Sequence, residues 1–212
     1  MNLQQDSVHY EALWSALQRD FRLLQGQIDQ LKRYAQLLIE WNEKFNLTAL
    51  LDIPSIIHYH FYDSLKIADF VDFNPLSTVA DIGSGAGFPG VPLKILFPHV
   101  SVMLIEVNHK KRMFLEHIIQ EIDLKNVCVV GDDWRTFMRH AAYNVDYFLA
   151  RASLQPEELV RIFKPSCVYR NATLVYWASE KWTPGKVEAT FVKKEVSYTI
   201  NNIQRKYVFF HV

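Results

Sequence analysis

The chain has 212 residues, room for one large domain or a core domain with a small appendage but not for two full enzyme domains. Half of the residues are hydrophobic, 14% are aromatic and 22% are charged, which excludes a disordered chain, and Lys plus Arg equal Asp plus Glu at 23 each, so no global field draws the protein to polyanions. Without an apolar run of about 18 residues or a basic-then-apolar start, the expectation is a cytoplasmic protein with no membrane span or signal peptide. Cys128 and Cys167 are too few for a disulfide framework or a zinc site and read as small buried hydrophobes.

The first fifty residues read as helix. From Ile28 the apolar positions fall at Leu31, Ala35, Leu38 and Phe45, with Tyr34 and Trp41 flanking and Asn42 as a polar break, one stripe on a 3.6-residue helix. A shorter amphipathic segment, Val8 to Leu24, precedes it. Ile53 to Phe73 reads as one or two more helices, with Pro54 in a first turn. Asn74-Pro75 ends the helical region, dividing the chain into a helical N-terminal cap, 1–74, and a second unit, 75–212.

After Pro75 the rhythm changes. Thr78 to Ile82, Val100 to Glu106, Asn126 to Val130 and Val145 to Ala150 read as strands, with helices beginning near Pro89, His109, Asp133 and Pro156. Such alternation argues for a parallel sheet covered by helices on both faces. The tail differs: Thr173 to Trp177, Val192 to Ile200 and Lys206 to Val212 are strands, the last two with little between them, so an antiparallel hairpin is expected at the sheet edge.

Only seven glycines occur, and four of them, Gly83, Gly85, Gly87 and Gly90, fall within eight residues, directly after the first strand. That is where a doubly wound sheet lets backbone approach a nucleotide. Gly85 to Gly90 satisfies the dinucleotide fingerprint by itself, which leaves an NAD-dependent oxidoreductase open. Asp81, two residues before Gly83, tilts the choice: a carboxylate beside the loop repels a pyrophosphate and attracts the ammonium and sulfonium of S-adenosylmethionine. Glu106, at the end of the second strand, is placed to accept hydrogen bonds from ribose hydroxyls of either cofactor. Asp132-Asp133-Trp134-Arg135 is placed to edge an adenine, although Trp134 reads equally well as core.

The blocks Trp41-Asn42, Asn46-Leu47-Thr48, His60-Phe61-Tyr62-Asp63-Ser64-Leu65, Asp81 to Gly90 with its Gly-Phe-Pro-Gly ending, Lys111-Arg112, Phe114-Leu115 and Ala150-Arg151-Ala152 carry a specific likeness. In their order and spacing from about residue 35 to 152, the sequence resembles the RsmG (GidB) family, class I methyltransferases acting on N7 of a guanine in bacterial 16S ribosomal RNA. The resemblance implies a class I SAM-dependent methyltransferase fold, Rossmann-like with a mostly parallel seven-stranded sheet. It implies S-adenosylmethionine as cofactor and 16S rRNA or the small ribosomal subunit as partner; a monomer is the expectation, with the oligomeric state left open by the sequence. It places Gly83 and Phe88 on the methionine and ribose side, Trp134 and Arg135 at the adenosine, and Arg151 at the methyl-transfer region as the catalytic residue. Asp81, Gly85 and Glu106 complete the expected cofactor set.

Two positions depart from the family pattern. Arg135 stands where an acidic residue is usual, and the family's Lys-Gly after the fifth strand would fall near Ala178-Ser179, where only Lys181 offers a substitute. A non-catalytic protein binding SAM or RNA is therefore a further alternative. Guanine N7 has an in-plane lone pair and no proton, so transfer to it needs alignment rather than a general base. N7 is hidden in an A-form groove, so the substrate nucleotide should be unpaired or splayed. Lys110-Lys111-Arg112 and Lys193-Lys194 are candidate phosphate contacts. His58 and His60 lack a third ligand at helical spacing, and no metal is expected.

Overall fold

The structure is a computed structural model that describes residues 3–139 and 143–212, with side chains from residue 10 onward. Helix α1 (Leu3–Phe21) and helix α2 (Gln25–Phe45) open the chain. The α2 stripe is buried as its spacing requires, through Ile28, Leu31, Tyr34, Ala35 and Leu38. Asn42, expected to break that stripe, is instead buried with it: its Oδ1 accepts the Thr48 N–H at 2.7 Å and holds the chain that leaves the helix past Asn46, a left-handed cap residue.

Asp52 caps the next helical stretch by accepting the Ser55 N–H at 2.8 Å. This stretch has four parts: α3 (Ile53–Ser55), a π-helical segment (Ile56–Tyr62), α4 (Asp63–Leu65) and a 3-10 turn (Lys66–Asp69). No helix among the described residues is long and apolar enough to cross a membrane.

The second part alternates β1 (Thr78–Ile82), α5 (Gly90–Leu96), β2 (Ser101–Ile105), α6 (His109–Glu121), β3 (Val127–Val130), α7 (Trp134–Phe137), β4 (Tyr147–Arg151), α8 (Pro156–Leu159) with a 3-10 turn (Val160–Phe163), and β5 (Thr173–Ser179). It ends with α9 (Lys186–Ala189), β6 (Val192–Ile200) and β7 (Ile203–Phe210). The seven strands form one sheet in the order β3-β2-β1-β4-β5-β7-β6, parallel through β5 and antiparallel in its last two pairings. The last strand begins at Ile203 rather than Lys206, because Asn201 and Asn202 both adopt positive φ, 43° and 67°, and make a two-residue hairpin turn.

One face of the sheet, through Val79, Val102, Leu104, Leu149, Val175 and Tyr207, shares a single core with Trp14, Leu17, Leu31, Tyr34 and Phe61 of the N-terminal helices. The other face, through Ile82, Met103, Ile105, Phe148 and Leu174, packs on Trp134, Phe137, Leu159, Ile162 and Phe163 from short helical turns. Cys128 is exposed, not buried as its residue type suggests, because it lies on β3, the sheet's outer strand; Cys167 is half-buried.

Candidate functional site

The chain winds from β1 outward through β2 and β3, then returns to the other side of β1 to form β4 and β5. Outside the carboxyl ends of strands at such a reversal a crevice is unavoidable. Here it is a cleft of about 750 Å³, lined by Gly83, Glu106, Lys111, the segment 132–135, the segment 152–155 and Glu158.

Gly83 has φ +66°, and a Cβ there would lie 2.6 Å from the Ser153 Cβ, so only glycine lets the β1 loop and the β4 loop meet. Ser84 holds the turn, its hydroxyl donating to the Asp81 carbonyl at 2.9 Å. Gly85 donates its N–H to Glu106 Oε2 at 2.8 Å, and Asn108 donates to Glu106 Oε1 at 2.8 Å. Glu106 thus clamps the glycine loop to the turn after β2, and each of its oxygens keeps a further lone pair on the cleft wall.

Asp81 is fully buried beneath the loop. Its Oδ2 accepts the Gly90 N–H at 2.9 Å, while Oδ1 has no partner. Burial pushes its carboxyl up to about 7, against the opposing pull of the Gly90 N–H and Arg151. The Ser153 hydroxyl is the other orphaned buried side-chain group among the described residues, and it lies on the cleft lining.

At the far side, Asp133 caps α7 through the Thr136 N–H at 3.0 Å. Trp134 is both things its sequence position allowed: a buried side chain in the second core and part of the cleft lining, its indole N–H reaching the Glu158 carbonyl at 3.3 Å. Arg135 is an exposed rim residue paired with the Glu158 carboxylate at 2.8 Å.

Phe88 and Arg151, expected at the cofactor and the reacting centre, are placed differently from the rest of the set. Phe88 is buried, stacked on His60 at 4.3 Å and 9° and on Tyr34 at 5.3 Å, and the Arg151 guanidinium lies 5.3 Å from its ring centre. Arg151 is 13% exposed and donates to Asp63 Oδ2 at 2.9 Å, to the Tyr59 carbonyl at 3.1 Å and to His60 Nδ1 at 3.4 Å. It points into the face shared with the N-terminal helices, not openly into the cleft, because it follows Leu149 in the alternation of β4. Its position favours holding that wall in place over contact with reacting atoms.

Asp63 is the residue whose role sequence reasoning missed, although its block was noted. It is fully buried, and its carboxylate also takes Arg205 at 2.8 Å and the Tyr198 hydroxyl at 2.8 Å, while its carbonyl accepts the Trp177 indole N–H at 3.0 Å. Helical, β4, β5, β6 and β7 segments therefore meet on one residue. Nothing local signals this, because the partners lie 88 to 144 residues away. His60 donates from Nε2 to the Thr48 hydroxyl at 2.9 Å if Nδ1 accepts from Arg151; burial first, then the two arginines, push its imidazole down to about 3, and it is neutral. Lys181 lies exposed beyond β5, and Lys110 sits over the Phe45 ring at 5.5 Å.

A sequence model described as rRNA small subunit methyltransferase G matches residues 27–206. The ribosomal RNA small subunit methyltransferase G of Lysinibacillus sphaericus is 32% identical over 191 residues, 90% of this chain and 79% of that protein. Its namesake in Halalkalibacterium halodurans is 43% identical over 135 residues, 64% of this chain but only 57% of the relative's own length. Among solved structures, TrmK of M. capricolum in complex with S-adenosylhomocysteine matches with a TM-score of 0.55 at 12% identity, over 71% of this chain and 67% of that one. MtNAS in complex with MTA and tNA matches with 0.62 at 14%, over 87% and 70%. At these identities the structural likeness is one of fold.

Proposed function

The chain belongs to the rRNA small subunit methyltransferase G family and has the class I methyltransferase fold, and on that premise we propose that it transfers a methyl group from S-adenosylmethionine to N7 of a guanine in 16S rRNA. The observation that carries the reading is the glycine-loop cleft with the orphaned Asp81 oxygen beneath it. An unpartnered carboxylate oxygen suits a cationic ligand and is wrong for a pyrophosphate, which argues against a dinucleotide in the same place. S-adenosylmethionine, when bound, supplies an electrophilic methyl on a sulfonium.

In this reading Gly83 admits the ligand's close approach, and Asp81, buried beneath the loop and outside the cleft lining, favours its cationic end through the field of its carboxylate. Glu106 accepts from ribose hydroxyls with the lone pairs its backbone partners leave free, and Trp134 with Arg135 flanks the adenine. No residue need move a proton, since N7 has none to lose. The protein's work is alignment, which can contribute roughly 7 to 11 kcal/mol at best. Arg151 acts as a positioning residue: through Asp63, His60 and Phe88 it fixes the wall on which the guanine has to be held.

The test is methyl incorporation into purified small ribosomal subunits that lack the modification, followed by mapping of the methylated base. Label at a guanine N7 in 16S rRNA is the expected result. Cofactor binding without incorporation into free rRNA or subunits would favour the non-catalytic alternative suggested by the missing Lys-Gly near Ala178-Ser179. Binding of NAD but not of S-adenosylmethionine would overturn the reading altogether.

A further inference from the structure

Beside the cleft, on the face covered by short helical turns, lies a second depression of about 410 Å³ with a cationic rim, Arg135, Arg139, Arg161 and Lys164, around a floor that includes Met138 and Cys167. Its charge is local. Glu158 is bridged by Arg135 at 2.8 Å and by Arg161 at 3.1 Å, which uses up that carboxylate, while Arg139 and Lys164 pair with no carboxylate among the described residues. Asp133 lies near enough to Arg139 to feel its charge, and even counting both acids the rim keeps a positive excess, on a chain whose net charge is zero.

All four cations are exposed, and Arg135 lines both depressions, so the patch adjoins the cleft. Arginine forks exposed in this way suit phosphate oxygens, which they can bind bidentately, and a half-buried thioether and thiol floor suits the apolar face of a sugar or base.

We propose that this patch is the docking track for the RNA strand that flanks the target nucleotide, with Arg139 and Lys164 each holding a backbone phosphate. The proposal rests on the RNA reading above for its substrate class, but not on turnover. It also answers how a neutral protein binds a polyanion: through a local excess of charge placed where the strand must leave the cleft.

The test uses the full chain and a fluorescent single-stranded RNA 12-mer titrated at several salt concentrations. Each phosphate contact on a single strand contributes about 0.7 to the slope of log affinity against log salt. The double variant Arg139→Gln/Lys164→Gln should reduce that slope by about 1.4 and weaken binding about tenfold at low salt, with S-adenosylmethionine affinity by calorimetry unchanged. Arg19→Gln/Lys125→Gln, which removes two cations with side chains 73% and 74% exposed elsewhere, should leave the slope within error. Equal slopes in the parent and the Arg139/Lys164 variant, or no RNA binding by the parent, overturn the track. Methyl transfer by a parent whose slope ignores the patch would keep the enzymatic reading and reject the track. A patch-dependent slope without transfer would do the reverse.

Discussion

The cleft and the Asp63 junction are both built around a carboxylate beneath backbone, yet they solve opposite problems. Asp63 has every oxygen engaged: two arginines and a tyrosine on the carboxylate, an indole on the carbonyl. Asp81, equally buried, keeps one oxygen with no partner. A saturated buried carboxylate holds a structure together, whereas a buried carboxyl group with an unpartnered oxygen is a standing cost that a ligand can relieve. The difference separates the part of the molecule that supports the cleft from the part proposed to receive the ligand.

The largest way to break this contrast is to remove the support. The helical segment 1–74 and the sheet share one core and the Asp63 junction, so we propose that the division at residue 74 is topological and not energetic. Residues 75–212 expressed alone should show no cooperative urea transition by circular dichroism; a sharp transition would show an independent domain. Next in size, Asp63→Ala empties a fully buried site and leaves two half-buried guanidiniums without their partner, which should cost about 3 kcal/mol in chemical denaturation. A loss below about 1 kcal/mol would mean that the junction is decorative.

Gly83→Ala tests the receiving side. The added Cβ meets Ser153, so cofactor affinity by calorimetry should fall at least tenfold, with a stability loss of only about 1–3 kcal/mol. Unchanged affinity would place the ligand elsewhere.

The two regions should also separate by pH. His60 is pushed down to about 3 from an unfolded value near 6.5, so its contribution is present above that value and is lost as pH falls. Asp81 is pushed up to about 7 from near 3.9, so its folded state holds the proton, and its contribution is present at low pH and lost as pH rises toward 7. Between pH 4 and 6.5 these trends oppose each other. Relative to the parent, Asp81→Asn should make stability rise more steeply with pH, and His60→Gln should make it fall, each by at most about 1.4 kcal/mol per pH unit. Identical pH profiles in all three proteins would show that neither group is perturbed. The smallest effect is expected at the rim, where Arg135→Ala removes an exposed pair and should change stability by less than about 1 kcal/mol.

Periodicity made most of the fold legible. The strands β1 and β6 have the bounds read from the sequence, the first as a short apolar run and the second by alternation, and the α2 stripe is buried from Ile28 to Leu38. The last strand was read as starting three residues and ending two residues too late, though the Asn201-Asn202 pair that turns the hairpin was visible. The cleft was legible through glycine spacing and strand ends because both are local signals. What escaped was the direction of Phe88 and Arg151 and the whole set of partners on Asp63, which depend on register across the sheet and on contacts up to 144 residues distant. Exposure on an outer strand likewise reversed the reading of Cys128, since residue type carries no information about strand order.

The π-helical segment Ile56–Tyr62 immediately precedes Asp63 and includes His60. A π turn carries about one more residue per turn than an α turn, and each residue of an α-helix advances the side-chain direction by about 100°. Deleting a single residue from this segment would let it relax to an α-helix, yet would have to carry every later anchor back into the same phase. Families that share this site should therefore tolerate substitutions here far better than changes in length, and a one-codon deletion becomes a sharper genetic probe of the junction than any point mutation.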